Sequence, residues 1–251
     1  MEIAPYHITI GNATDIGRVR ERNEDYMAHF DTPLGYCIIV CDGMGGHAAG
    51  EVASQNAVDA IRCFLQNGKI IKLDIATTLQ NAIEFANYKL REMAQQNPVL
   101  KGMGTTCVLA LIKNAEMFVA HAGDSRLYLI RDKKIQQITK DHSAVQNLID
   151  LGALTEEEAE QSNKKNLITK AIGIFEKVEP VVTLHPIILS HNDKILLCSD
   201  GLTGQVSMQN IMKTINSNND VQHAALQLIE KANKEEGVDN ITVQIIHYTG
   251  N

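Results

Sequence analysis

Four aspartates stand where apolar runs open into turns. Asp42 follows YCIIVC, Asp124 follows MFVAHAG, Asp200 follows KILLCS, and Asp239 with Asn240 precedes ITVQII. Each alone reads as a turn residue, since Asp beside Gly or Asn tolerates the backbone angles of a tight reversal. Asp25, in VRERNEDYM, makes a fifth. If these strand ends converge, the carboxylates crowd one another, and each raises its neighbours' pKa unless a cation intervenes. All-oxygen donors without a supporting Cys or His set select a hard ion, Mg²⁺ or Mn²⁺. A two-metal carboxylate site is therefore expected, and its usual chemistry is in-line displacement at phosphorus.

Competing chemistries fit less well. Gly43, Gly45 and Ala48 match the spacing of a dinucleotide fingerprint after a strand and before a helix. The clear strands that follow form short-looped, antiparallel pairs, whereas that fingerprint needs a parallel return, and Asp42 would set a negative charge beside the pyrophosphate. Of the five cysteines, Cys37, Cys41, Cys63, Cys107 and Cys198, most lie in apolar runs, which reads as buried, reduced thiols in a cytoplasmic protein. None is followed by arginine at the spacing a cysteine phosphatase needs, and Cys37 with Cys41 has no second pair to complete a metal site. The charge balance, 23 Lys+Arg against 30 Asp+Glu for a net −7, is too acidic for a nucleic-acid binder.

The elements that must position the aspartates are legible in outline. With 251 residues, 44% of them hydrophobic, no repeat and no linker, the chain is expected to be one domain over 1–251. No basic leader and no long apolar span appears, so neither export nor a membrane is expected. Tyr36 to Cys41 and Lys194 to Ser199 read as buried strands. Thr105 to Lys113, Glu116 to Ala122, Leu127 to Arg131 and Ile135 to Thr139 read as an antiparallel meander. One helix begins near Ala49 and buries Ala53, Ala57, Ala60, Ile61 and Phe64; a second begins at Asp74 with Ile75, Leu79, Ile83, Ala86 and Leu90 on one face. Another pair, near 207–215 and 221–234, precedes a last strand, 241–247. Segregated runs of this kind predict a layered α+β fold with helices outside packed sheets. Residues 141–178 are short, charged helical pieces, with Thr155 and Glu158 forming a capping box, and read as an insertion over the main body.

Seven stretches also resemble a known family. TDIGRVRERNEDY, VCDGMGGHAAGEVAS, MGTTCVLALI, AHAGDSRLYLIRD, ITKDHSAVQNLIDLGALTEEEA, LCSDGLT and DNITVQII, in that order, are similar to the metal-dependent serine/threonine protein phosphatases of the 2C type, in the bacterial single-domain form. The resemblance implies an α/β/β/α sandwich of two antiparallel sheets flanked by helices, with a small helical flap at 141–178. It implies two core Mn²⁺ or Mg²⁺ ions, bridged by Asp42 and completed by Asp25, the carbonyl of Gly43, Asp200 and Asp239. A third, weaker ion would sit on Asp124 with Asp200. Arg20 would hold the phosphate, a bridging water activated by the ions would attack phosphorus, and His47 would protonate the leaving oxygen. His121 and His142 read as structural.

The implied activity is hydrolysis of phosphoserine and phosphothreonine in proteins, opposite a serine/threonine kinase, by a cytoplasmic monomer. A phosphoprotein-binding module without activity, or a two-metal phosphodiesterase, are the alternatives; all five aspartates are present, and no basic, aromatic strip for nucleic acid is. The flap departs from bacterial relatives, which often carry His-Pro-x-Arg-Asn and then Ile-Thr-Arg. Here Ser162, Asn163, Lys164, Lys165 and Asn166 precede Ile168, Thr169 and Lys170, so lysine replaces arginine twice and two-pronged hydrogen bonding is lost.

Overall fold

The computed structural model describes residues 7–46, 49–67, 73–160, 162, 164 and 166–250. The chain opens with β1 (His7–Asp15), β2 (Asp25–Thr32) and β3 (Gly35–Met44), followed by α1 (Ala49–Gln66) and α2 (Ile75–Gln96). Next come β4 (Gly104–Thr105), β5 (Cys107–Lys113), β6 (Glu116–Ala122), β7 (Arg126–Arg131) and β8 (Lys134–Gln137). The segment after them holds α3 (Ala144–Asp150) and α4 (Glu156–Glu160) and returns through β9 (Val181–Val182) and β10 (Ile187–Ile188). Last are β11 (Lys194–Cys198), the four-residue α5 (Asp200–Thr203), α6 (Met208–Ser217), α7 (Val221–Glu235) and β12 (Ile241–Thr249).

Two antiparallel sheets result, one ordered β1-β12-β11-β7-β8 and the other β10-β6-β5-β3-β2, with β4 and β9 appended to the second. Burial on both faces explains why their central strands read as continuous apolar runs. Along β3, Cys37, Ile39 and Cys41 pack under α1 and α2, while Ile38 and Val40 face the other sheet with Val108, Ile195, Leu197 and Ile246. On the far side, Leu196, Cys198, Val243 and Ile245 pack under α6 and α7. Helices thus cover both outer faces, as expected for the layered α+β sandwich.

The meander is corrected. Its two hairpins form, Asn114, Asp132 and Lys133 adopting the positive φ that tight hairpin turns require. However, β6 belongs to one sheet and β7 to the other. The chain crosses between them at Gly123, whose φ of +113° is open to glycine. A Cβ there would stand 2.6 Å from the Thr106 Cβ. β1 and β2 are also strands the apolar pattern did not announce: β1 alternates exposed and half-buried residues over much of its length.

α1 buries Ala53, Ala57 and Ile61 as expected, with Val58 and Leu65. Ala60 and Phe64 are only half-buried, Phe64 lying 5.5 Å from Phe85 of α2. Asp74 caps α2 by accepting from the Thr77 N–H at 2.9 Å. All five cysteines are free thiols, four buried and Cys63 exposed on α1. Among the described residues no helix is long and apolar enough to cross a membrane. In 141–178 the capping box forms, Thr155 N donating to Glu158 Oε2 at 2.8 Å and Glu158 N to Thr155 Oγ1 at 3.2 Å.

Candidate active site

The expected aspartates meet at one end of the sandwich. Asp25 opens β2 and Asp42 nears the end of β3, directly opposite each other in the strand register. Like charges so placed disfavour the sheet, which already sets this pair apart from ordinary surface residues. Asp124 lies in the crossing between β6 and β7, Asp200 begins α5 just after β11, and Asp239 stands two residues before β12. In an antiparallel arrangement these strand ends fall at the same edge.

Backbone and hydroxyl groups fix the acidic residues in place. The Asp42 N–H donates to Thr106 Oγ1 at 2.9 Å, and its carbonyl accepts from Thr106 N and Thr105 Oγ1, both at 2.8 Å. Ser199 occupies the cap position of α5 yet makes no cap bond. Its hydroxyl donates instead to Asp25 Oδ2 at 2.7 Å and accepts from Thr242 N at 3.0 Å, tying β2 to β11 and β12. Gly43 is pressed against the first turn of α1: a Cβ there would be 2.1 Å from the Gly50 carbonyl oxygen, so only glycine fits.

Asn240 organises the turn that carries Arg20. It accepts from Glu24 N at 2.8 Å and donates to the carbonyls of Ile16 and Arg22, each at 2.9 Å. Arg20 itself is half-exposed and donates from Nη2 to Asp239 Oδ2 at 2.7 Å. His47 lies outside the described residues, as does Lys165. Lys170 donates to the Glu179 carbonyl at 3.0 Å, a bond within the return of the inserted segment. Ser199, Thr106 and Arg126 were not singled out from the sequence, and Asn240 only as the neighbour of Asp239; Ser199 and Arg126 stand in the motifs of Asp200 and Asp124, and Thr106 in the matching MGTTCVLALI stretch.

The electrostatics are those of a site built for cations. Burial, opposed by the Ser199 hydroxyl bond and helped by the charges of Asp200 and Asp239, raises Asp25 to about 7. Asp124 is likewise raised to about 7 by burial and then by Asp200. Asp42 is held well above the ordinary carboxylate range by burial and by the charges of Asp25, Asp200, Asp124 and Asp239. Asp200 is raised by burial and Asp239. Asp25 Oδ1 and Asp200 Oδ1 are buried with no hydrogen-bond partner. Buried polar atoms are ordinarily satisfied, so these two orphaned acceptors among mutually repelling carboxylates fit a pair of hard cations. The carboxylates act on one another over Coulombic range without closing on one point: among the described residues no group of three His, Cys, Asp or Glu side chains is drawn together as a ready-made metal cage.

Comparison with known proteins agrees with this geometry. Residues 17–237 match the family model described as protein phosphatase 2C, and the chain belongs to that family. It is 38% identical over 236 residues to the protein phosphatase PhpP of Streptococcus pneumoniae, covering 93% of this chain and 94% of that one. The crystal structure of the Mycobacterium tuberculosis serine/threonine phosphatase PstP/Ppp superposes with a TM-score of 0.87 at 36% identity, over 97% and 99% of the two chains. A PstP catalytic domain in complex with two manganese ions gives 0.85 at 35% identity, over 98% of this chain and 100% of that one.

Proposed function

We propose that this chain hydrolyses phosphoserine and phosphothreonine esters in proteins, with two Mn²⁺ or Mg²⁺ ions held by Asp42, Asp25, the Gly43 carbonyl, Asp200 and Asp239. A third is assigned to Asp124 with Asp200. The observation that carries this reading is the pair of buried, unpartnered oxygens, Asp25 Oδ1 and Asp200 Oδ1, beside the raised carboxyl of Asp42. When bound, the ions supply an activated water and neutralise charge on the phosphoryl oxygens.

The remaining steps belong to the chain's own groups. The Arg20 guanidinium, planar and two-pronged, suits one edge of a phosphate, and its bond to Asp239 holds it beside the aspartates. Asn240 fixes the turn from which Arg20 reaches. His47 is proposed as the acid that protonates the departing serine or threonine oxygen. Asp42 carries the central charge of the site. Five carboxylates at one end of the sandwich, two of them with a buried oxygen that no protein donor satisfies, support an enzyme over a phosphoprotein-binding module.

The proposal extends to the whole chain as one domain over 1–251 with the flap at 141–178. The shared apolar layer between the two sheets supports it. The working partners proposed are phosphorylated proteins and the serine/threonine kinase that makes them, with the chain acting as a monomer in the cytoplasm, where its free thiols suit a reducing compartment. Phosphate release from phosphoserine, phosphothreonine and phosphotyrosine peptides tests the reading in Mn²⁺, Mg²⁺ or EDTA. Turnover of the first two with either ion, and none in EDTA, is expected. Full turnover in excess EDTA would refute it.

A further inference from the structure

Between β6 and β7 the chain crosses from one sheet to the other through Gly123, Asp124 and Ser125, a connection too short to have a core of its own. The groups that hold it come from elsewhere in the sequence. Gly123 N donates to His142 Nδ1 at 3.1 Å, and the Gly123 carbonyl accepts from His142 N at 3.0 Å, so both backbone groups of Gly123 are bonded to one residue. On the other side of Asp124, the Arg126 guanidinium clasps Asp141: Nε donates to Oδ1 at 3.0 Å and Oδ2 at 3.1 Å, and Nη2 to Oδ2 at 2.7 Å. Ser125 Oγ bonds Thr106 Oγ1 at 2.7 Å. Asp124 is thus bracketed by two bonded neighbours whose partners are consecutive residues, Asp141 and His142.

The His142 ring is itself fixed. It stacks on His121 with centroids 4.6 Å apart and planes 3° from parallel. For Gly123 N–H to donate, His142 Nδ1 must be unprotonated. His121 Nε2 lies 2.8 Å from the Lys140 carbonyl, an acceptor, and therefore carries hydrogen. The His142 carbonyl accepts from Thr169 N at 2.8 Å, which joins this bracket to the return of the inserted segment.

We infer that Asp141 and His142 are positioning residues for Asp124, so that the root of the flap sets how tightly the Asp124 ion is held. This rests on the proposed reading of Asp124 as an ion-holding carboxylate. Groups that orient a metal ligand typically change affinity by roughly 10–100-fold when removed. The effect falls on the Asp124 ion, because Asp25 and Asp42 are anchored by Ser199 and Thr106, and the hydrogen bonds of Asp141 and His142 reach neither.

The test titrates Mn²⁺ into the full chain by calorimetry, resolving tight sites from the weaker one, with melting in EDTA as the measure of folding. His142→Phe keeps a ring on His121 and removes the acceptor; His142→Asn keeps an acceptor oxygen at the Nδ1 position and removes the ring. Asp141→Asn weakens the Arg126 clasp and serves if the phenylalanine variant does not fold. Loss of weak-site affinity by roughly ten-fold or more in His142→Phe or Asp141→Asn, with tight sites unchanged and His142→Asn near native, is the expected result. Equal losses in the two His142 variants, or native weak-site binding in the phenylalanine and Asp141 variants, would overturn the inference. Asp124→Ala is the control: if it keeps the weaker ion, the reading of Asp124 fails, and the failure is distinct from that of the bracket.

Discussion

Stripped of ions, this protein should lose stability as pH rises from about 4 to 8, and Asp25→Asn should remove much of that loss. Burial and the charges of Asp200 and Asp239 raise the Asp25 pKa from 3.8 to about 7. An acid whose folded-state pKa exceeds its unfolded value folds best protonated. Its contribution is complete below the unfolded pKa and is lost as pH climbs through about 7. Three units at about 1.36 kcal/mol each put the cost of ionising Asp25 on the order of 4 kcal/mol. Asp124 is also raised to about 7, but neighbouring carboxylates titrate as a set, so the two costs do not simply add.

For a chain of this length, on the order of 4 kcal/mol corresponds to roughly 10 °C in Tm. Calorimetric melts in EDTA across that pH range compare native protein with Asp25→Asn. Asparagine stays neutral and can still accept the Ser199 hydroxyl bond, so the variant should melt higher than native at pH 8 and gain less from Mn²⁺. His121 and His142, whose depressed pKa values favour folding as pH rises, are present in both proteins and cancel. A variant that melts below native protein in EDTA at pH 8 would show that the buried charge of Asp25 is not the strain in this site.

Asp42→Asn weakens the charge at the centre of the site and should lower phosphopeptide turnover by on the order of 10² or more, read as kcat with saturating Mn²⁺. Gly43→Ala drives a Cβ to 2.1 Å from the Gly50 carbonyl oxygen; the overpacking should cost about 1–3 kcal/mol in chemical denaturation. His47→Gln should slow phosphopeptides far more than p-nitrophenyl phosphate, because nitrophenolate leaves without a proton; equal losses would argue for a role in holding ions or substrate. Lys170→Ala should shift selectivity among phosphopeptides and leave p-nitrophenyl phosphate turnover within a few-fold, since Lys170 binds the Glu179 carbonyl and no aspartate of the site.

What the sequence carried depended on burial. Strands with both faces covered, such as Tyr36 to Cys41 within β3, show as unbroken apolar runs, and the helix beginning at Asp74 shows its cap and its stripe. β1 lies at a sheet edge with alternate residues exposed, so its composition resembles that of a loop. The sheet change between β6 and β7 was hidden for another reason: a three-residue connection suits a hairpin as well as a crossing, and only packing against Thr106 and the register with β11 decide between them. The aspartates were legible because charge at a strand end is conspicuous. Their hydroxyl and amide partners were not, since Ser199 reads from sequence as an ordinary helix cap.

The same partners explain how a cluster of like charges persists in a folded chain. Left free, Asp25 and Asp42 would swing apart into solvent. The Ser199 hydroxyl holds one Asp25 oxygen and leaves the other without a donor, while Thr105 and Thr106 pin the Asp42 backbone in the sheet. Each bond comes from a strand or from the residue directly beside one, and an apolar layer on at least one face sets the position of those strands, so packing of the cores resists the repulsion. The chain therefore holds its anionic site open before any ion arrives, and ion binding relieves strain that folding has imposed. Ser199 also eases the charge it confines, because its hydroxyl bond favours the ionised Asp25 carboxylate against the burial that raises it. Ser199→Ala should therefore widen the pH 8 stability gap between Asp25→Asn and the unsubstituted Asp25 in EDTA while lowering Mn²⁺ affinity roughly 10–100-fold. A variant that lost affinity yet left the gap unchanged would show that the hydroxyl orients Asp25 without easing its charge.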